Sequence, residues 1–172
     1  MTSPDLVVLA LGCDPDSSVP PSSEGSSRKR ERVDGGERLW PVKKSTANWL
    51  ASADYDLQTA EAMLKSERYL YVVFMCHLAI EKTLKALYAE TRPEHPPRTH
   101  DLLFLVRELR LSVPKAHRRL VGAIANASVP TRYPEDLPGM VRQYPRRTVC
   151  SYLARTRKAL QWLRKQPPLA ET

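Results

Sequence analysis

The chain has 172 residues, a hydrophobic share of 42% and a formal net charge of +8 at pH 7. This length suits one domain of ordinary size and is short for two. The excess of Lys and Arg favours acidic partners such as RNA, DNA, nucleotides or an acidic protein surface, although it also promotes solubility. The three cysteines lack a CxxC spacing, and no apolar run is long enough for a membrane span. These features argue against a disulfide framework, a signal peptide and a membrane protein, and they predict a cytoplasmic one.

Residues 1–44 are predicted to be a disordered tail. Ser, Pro and Gly are concentrated there, and no apolar periodicity runs through the segment. Such a composition buries too little surface to offset the entropy of ordering the chain. A basic run at residues 28–32 fits either a solvated tail or a contact with phosphates. The folded domain is predicted at residues 45–166, followed by a short C-terminal tail at 167–172.

Helical periodicity begins directly after this tail. Ser45 is a predicted N-cap, and one apolar face follows at three- and four-residue steps: Trp49, Ala53, Leu57, Ala60 and Leu64. After a short break at residues 66–68, a second helix is predicted from Tyr69 to about Ala89. Its first half is apolar on nearly every side, which predicts burial on more than one side.

Three further helices are predicted in the second half of the chain. Residues 91–98 hold three prolines and form a predicted loop, after which Thr99 is a predicted N-cap for a helix rich in Leu and Val. Pro114 opens a fourth helix, residues 130–145 are a predicted loop with four prolines, and a last helix starts near Pro145. This last helix carries one apolar stripe: Val149, Leu153, Thr156, Leu160 and Leu163. The prediction is therefore an all-α fold, an up-and-down bundle of about five helices.

Three segments together resemble the HEPN domain, a family named for nucleotide binding in prokaryotes and higher eukaryotes. Residues 49–64 follow the pattern Trp…Ala…Asp-Leu…Ala…Leu, and residues 76–87 read Cys-His-Leu-Ala-Ile-Glu-Lys-Thr-Leu-Lys-Ala-Leu. The third segment begins Thr99-His100-Asp101-Leu102 and is followed further on by Thr131-Arg132-Tyr133-Pro134. The resemblance covers about residues 46–165, and Leu78 departs from it because many members carry Gln there.

The resemblance implies a helical bundle that is often a homodimer. It also implies frequent pairing with a minimal nucleotidyltransferase in prokaryotic two-gene modules, some of them toxin–antitoxin pairs. We therefore expect a binding or regulatory module associated with RNA or a nucleotide, without a cofactor or a metal. A homodimer is expected to form through the helices of the bundle, because the apolar surface of the second helix exceeds what one small bundle readily hides.

Some members of the family are metal-independent ribonucleases, which is the alternative hypothesis. Their motif is an Arg, four to six spacer residues and a His, near the start of the last conserved helix. No His follows Arg132 or any later Arg, so the motif is absent from that place. Arg110 and His117 do have six residues between them, but Pro114 intervenes. If this pair were functional, His117 would be the general acid or base and Arg110 would stabilise phosphate charge.

Polar residues of the second helix form another candidate site. His77, Glu81 and Lys85 are spaced four apart and share one helix face, which fits simple helix-surface pairs worth a few tenths of a kcal/mol. A polar groove beside the bundle is the functional alternative. Candidate contacts for RNA, a nucleotide or a partner are Glu81, Lys82 and Lys85 on this helix, together with Arg132 and Tyr133 from the third segment of the resemblance. His100 and Asp101, at a helix start, are interpreted as capping and interface residues rather than a catalytic dyad.

The strongest charge signal lies at the end of the chain. Eight basic residues and no acid occur between Arg142 and Lys165. Helical spacing keeps Arg147, Arg155 and Lys158 away from the apolar stripe of the last helix, so they are also candidate contacts. They form either a solvated helix face or a surface for RNA, a nucleotide or an acidic partner.

Overall fold

The computed structural model describes residues 43–167 and Leu169. Six helices and no strand occur in this part of the chain: α1 (Lys44–Lys65), α2 (Tyr69–Thr91), α3 (Leu102–Glu108), α4 (Lys115–Arg132), α5 (Leu137–Gln143) and α6 (Arg146–Arg164). The predicted all-α class is confirmed. The predicted disordered tail lies outside the described residues, except for Lys43 and Lys44.

Helix α2 is the centre of the bundle. It packs against α1, α4 and α6, with smaller contacts to α3 and α5. Fourteen of its residues are buried, in agreement with the prediction from its apolar sequence. Most of the apolar surface of α2 is therefore covered within one chain, with Tyr71 left 56% exposed, so the apolar sequence of this helix does not by itself support the expected homodimer. Helices α1, α4 and α6 all pack on α2, which the sequence pattern alone does not show.

Two predicted helix caps are wrong. Helix α1 has Lys43 rather than Ser45 at its N-cap, and α3 is capped by Asp101 rather than Thr99. The Asp101 carboxylate accepts hydrogen bonds from the backbone N–H groups of Leu103 and Phe104, at 2.9 and 3.0 Å. An anionic acceptor suits the positive end of the helix dipole better than a neutral hydroxyl does.

The predicted loop at residues 130–145 is also partly wrong. Pro130 lies inside the last turn of α4, and α5 occupies the middle of the segment. The Asp136 carboxylate accepts a hydrogen bond from the backbone N–H of Gly139 at 3.1 Å and so caps α5. Pro138 stands in the first turn of α5, where its missing N–H costs no helical hydrogen bond. Three of the four prolines there lie at the start or end of a helix, Pro134 lies between α4 and α5, and one short helix is added to the bundle of about five.

Helix α6 agrees closely with its prediction. Pro145 is the N-cap, and all five residues of the predicted apolar stripe are buried. The stripe packs on α2, with smaller contacts to α1 and α4. Beyond the helix, Leu169 also packs against the core. One face of α6 is thus fixed in the bundle, which leaves its basic residues on the flanks and the outer side.

Candidate functional site

Glu81 is the centre of a buried polar cluster on α2. Its Oε1 accepts a hydrogen bond from Lys85 Nζ at 2.8 Å, and its Oε2 accepts one from Nδ1 of His100 at 2.9 Å. His77 Nε2 is 3.5 Å from the same Oε2. Glu81, His77 and Lys85 are each at most 7% exposed, so the predicted helix-surface pairs are wrong. Helix α1 and the loop before α3 cover this side of α2, and the sequence spacing does not show that cover.

The cluster holds Glu81 in its charged form. Burial on its own raises the pKa of this carboxyl, but the contacts with His77, Lys85 and His100 outweigh burial and lower the pKa to about 2. A carboxylate of such low pKa is a poor proton acceptor near neutral pH. The arrangement therefore indicates a binding or structural role for Glu81 rather than general acid–base catalysis.

Lys82 and Lys85, both predicted as contacts, already have partners within the chain. Lys82 Nζ lies 2.6 Å from Oδ2 of Asp56, which is buried on α1. Lys85 Nζ lies 5.4 Å from the ring centroid of Trp49, in addition to its bond with Glu81. The role of Asp56 was missed in the sequence. The sequence does contain one signal of this role. Asp56 lies on the apolar face of α1, where a buried carboxylate needs a cationic partner.

Arg132 and Tyr133 lie together at the end of α4. The guanidinium of Arg132 donates hydrogen bonds to the backbone oxygen and to the hydroxyl of Ser128, at 2.9 and 3.2 Å. It also lies 5.2 Å from the ring centroid of Phe74 and 5.8 Å from that of Tyr133. Tyr133 is 73% exposed. Of this pair, Tyr133 therefore offers the accessible surface, while Arg132 is held in place.

The structure does not join Arg110 to His117. Arg110 is exposed in the turn after α3, with a φ of 51°. His117 is half-buried, and its ring centroid lies 5.5 Å from that of Trp162 on α6. No hydrogen bond or ion pair connects the two side chains within residues 43–167. The contacts of His117 are those of a packing residue, so the ribonuclease hypothesis gains nothing from its geometry.

The basic residues of the last segment divide into two groups. Arg157 pairs with Glu61 at 2.7 Å and Arg164 pairs with Asp54 at 2.6 Å, so both are directed at α1. The other six cations have no ion pair in the described part of the chain: Arg142, Arg146, Arg147, Arg155, Lys158 and Lys165. We call Arg147, Arg155 and Lys158 the basic face of α6. Arg147 and Lys158 are exposed, and Arg155 is half-buried.

Comparison with known proteins identifies the family. The model of the HEPN domain matches residues 46–166, which is more than half of the chain. The chain belongs to the HEPN family. The comparison with curated proteins gives no match.

Two solved structures share the fold. The structure of TT1696 from Thermus thermophilus is 24% identical, has a TM-score of 0.63 and covers 72% of this chain and 98% of its own. The structure of ST0689, an archaeal HEPN homologue, is 20% identical, has a TM-score of 0.59 and covers 72% of this chain and 98% of its own. At these identities the similarity supports the HEPN fold, and it carries no residue role over to this chain.

The described residues contain neither a candidate metal site nor a candidate membrane span. No group of three or more His, Cys, Asp and Glu side chains there is arranged to hold a metal ion. None of the six helices is both long and apolar enough to cross a membrane.

Proposed function

We propose that this HEPN domain is a non-catalytic module that binds RNA through the basic face of α6. The single observation that supports the proposal is the distribution of charge along residues 142–165. Two of the eight cations there are used in ion pairs with α1, and the remaining six have no acidic partner in the described residues. Unpaired cations on a rigid helix are available for phosphate groups.

The geometry of α6 makes this surface usable for binding. The buried stripe holds the helix against α2, and Arg147 and Lys158 lie eleven positions apart, about three helical turns. They therefore lie on the same side of the helix, opposite the buried stripe. An exposed row of cations attracts an extended polyanion without requiring a particular base sequence.

The binding test uses two variants with the same change in charge. The basic-face variant carries Arg147→Gln, Arg155→Gln and Lys158→Gln. The control variant carries Lys65→Gln, Arg68→Gln and Arg119→Gln, three exposed cations outside α6. We expect single-stranded RNA, followed by fluorescence anisotropy, to bind the basic-face variant about tenfold or more weakly, since fewer counterions are released when three phosphate contacts are lost. Equal weakening by both variants would show that only net charge matters and would contradict the proposal.

The absence of catalysis has its own test. Purified protein in EDTA should leave labelled RNA intact, and any residual cleavage should be unchanged by His117→Ala, as expected for a contaminant. Metal-independent cleavage that is lost with His117→Ala or Arg110→Ala, in folded protein, would establish the ribonuclease hypothesis instead. Circular dichroism of each variant separates loss of activity from loss of fold.

A protein partner is the second part of the proposal. Four large apolar side chains are exposed at the end of α4 and on α5, which has no buried residue: Val129, Tyr133, Leu137 and Val141. Exposed apolar groups close together favour a protein contact. We propose that this surface forms a homodimer contact in place of α2, and that the module pairs with a minimal nucleotidyltransferase, as the family resemblance implies.

The two contacts are tested separately. Light scattering should give twice the monomer mass of 19.5 kDa, and Leu137→Lys with Val141→Lys should return the monomer. A mass near 19.5 kDa for the unmodified chain at micromolar concentrations would reject the dimer.

Co-expression with the product of a neighbouring nucleotidyltransferase gene should yield a complex that survives gel filtration, and separate elution would reject the pairing.

A further inference from the structure

A groove of about 340 Å³ lies between α3, α4 and the turn that joins them. We call it the α3–α4 groove. Two arginines and no acid line it, Arg107 on α3 and Arg118 on α4. The rest of its lining is aliphatic: Leu103, Val106, Leu111, Val113 and Val121. A volume of this size lies at the lower end of the range for small-molecule sites, about 300–1,000 Å³.

The aliphatic lining of the groove is only partly covered by the rest of the chain. The Leu103 side chain is 43% exposed, and Val106 and Leu111 are half-buried. Val113 and Val121 are each 5% exposed, so they lie deepest in the groove. A single exposed leucine is ordinary on a protein surface, but aliphatic side chains that converge on a concave surface can bury an apolar ligand.

The base of the groove is incompletely packed. A second cavity, of about 10 Å³, shares three valines with the groove: Val106, Val113 and Val121. Most of its other lining residues are apolar and come from α2 and α6. Side chains beside such a void lack contacts on one side, and an apolar lining favours hydrocarbon over water. The end of an aliphatic chain is suited to this space.

The charge around the groove favours an anion. Arg107 and Arg118 have no ion pair in residues 43–167. Arg118 Nη2 donates a hydrogen bond to the backbone oxygen of Val113 at 3.0 Å, and its guanidinium carries further donors. Residues 101–119 contain five Lys or Arg and two acids, Asp101 and Glu108, which leaves an excess of three positive charges.

We propose that the α3–α4 groove binds a medium-chain aliphatic carboxylate. The carboxylate accepts hydrogen bonds from Arg107 and Arg118, a pairing that guanidinium groups favour. The chain covers the aliphatic lining, and its end lies against the valines at the base. No aromatic side chain lines the groove, so a flat ring gains no stacking partner there. This site uses neither the basic face of α6 nor the exposed apolar residues of α5, and it does not depend on the proposed function.

The first experiment titrates the full chain with butanoate, hexanoate and octanoate. It follows the methyl resonances of Val113 and Val121, assigned with Val113→Ile and Val121→Ile. Each buried methylene strengthens binding about fourfold, so each two-carbon step should strengthen it roughly tenfold. Octanol has the chain without the charge and should bind about tenfold or more weakly than octanoate. Affinity that does not rise with chain length, octanol that binds as tightly as octanoate, or no shift at millimolar concentration would overturn the proposal.

The second experiment tests the charged contact with two variants that change the net charge equally. Arg107 is exposed and its side chain makes no hydrogen bond or ion pair in the described part of the chain, so Arg107→Gln should keep the fold. It should weaken octanoate about tenfold and leave octanol unchanged. Arg119→Gln, at an exposed position of α4 outside the groove, is the control and should change either affinity less than about twofold. Equal effects of the two variants on octanoate would overturn the proposal.

An acidic peptide is the alternative occupant of the groove. A short peptide of leucine and aspartate provides the same two kinds of group on a larger ligand, and it should bind more weakly than octanoate. If this peptide shifted the resonances of Val113 and Val121 while octanoate did not, the groove would be a protein contact, and the proposal would be overturned. RNA binding by the basic-face variant is measured separately, so failure here and failure of the proposed function are distinguishable.

Discussion

Replacing Glu81 by glutamine removes the charge at the centre of the buried cluster while keeping its size. The contacts with His77, Lys85 and His100 outweigh the effect of burial and lower the pKa of Glu81 from 4.5 to about 2. Each unit of difference between the folded and unfolded pKa corresponds to about 1.4 kcal/mol, so the charged form stabilises the fold by about 3 kcal/mol at neutral pH. We expect Glu81→Gln to lower the free energy of unfolding by about this amount at pH 7.

The loss should depend on pH in a defined direction. Because the folded pKa lies below the unfolded value of 4.5, the stabilisation is complete above pH 4.5 and disappears as the pH falls towards 2. At low pH the protonated Glu81 resembles glutamine, and the stabilities of the two proteins should converge. Glu135→Gln is the control, since Glu135 is exposed, and it should change stability by less than about 0.5 kcal/mol.

Urea denaturation between pH 7 and pH 3, followed by circular dichroism, measures both effects. Each protein is compared with the unmodified chain at the same pH, so that other titrating groups cancel. A loss below about 1 kcal/mol at pH 7 would refute the account of the Glu81 cluster. The same conclusion would follow if the difference between the two proteins stayed constant down to pH 3.

Three further predictions concern the bundle itself. Leu153→Ala truncates a side chain that is only 1% exposed, and it should lower the free energy of unfolding by about 2–5 kcal/mol. Urea titrations measure this loss, and a loss under about 1 kcal/mol would contradict the packing of α6. Asp101→Ala should lower the free energy of unfolding by about 1 kcal/mol because α3 loses its N-cap, whereas Asp101→Asn keeps an acceptor there and should retain most of that stability. Equal stability of the unmodified chain and both variants would show that the cap is unimportant. Arg157→Gln should cost less than about 1 kcal/mol, because the ion pair with Glu61 is about 40% exposed on both sides, and a larger loss in thermal melts would contradict this estimate.

The helices could be predicted from the sequence wherever apolar periodicity is long and regular. The stripe of α6 from Val149 to Leu163 leaves one orientation that buries it. The first half of α2 is apolar on nearly every side, and this indicates a helix buried on more than one side. Short helices are harder. Helix α5 has seven residues and no buried side chain, so it carries no periodic signal and depends on its cap at Asp136.

The candidate sites were less accessible to prediction, because they depend on contacts between helices. Spacing alone places His77, Glu81 and Lys85 on one face, but only the packing of α1 and the loop shows that this face is buried. In the same way, the sequence contains eight cations near the C-terminus without showing that Arg157 and Arg164 are paired with α1. The family, by contrast, follows from ordered motifs, and the HEPN match over residues 46–166 confirms it.

The salt dependence of RNA binding tests the central proposal most directly. For single-stranded RNA, the logarithm of the affinity falls with the logarithm of the salt concentration, by about 0.7 for each phosphate contact. If the three cations of the basic face each contact a phosphate, the basic-face variant should show a slope smaller by about 2 than that of the unmodified chain. The control variant, with the same net charge, should keep the original slope. Identical slopes for the unmodified chain and the basic-face variant would contradict RNA binding through α6.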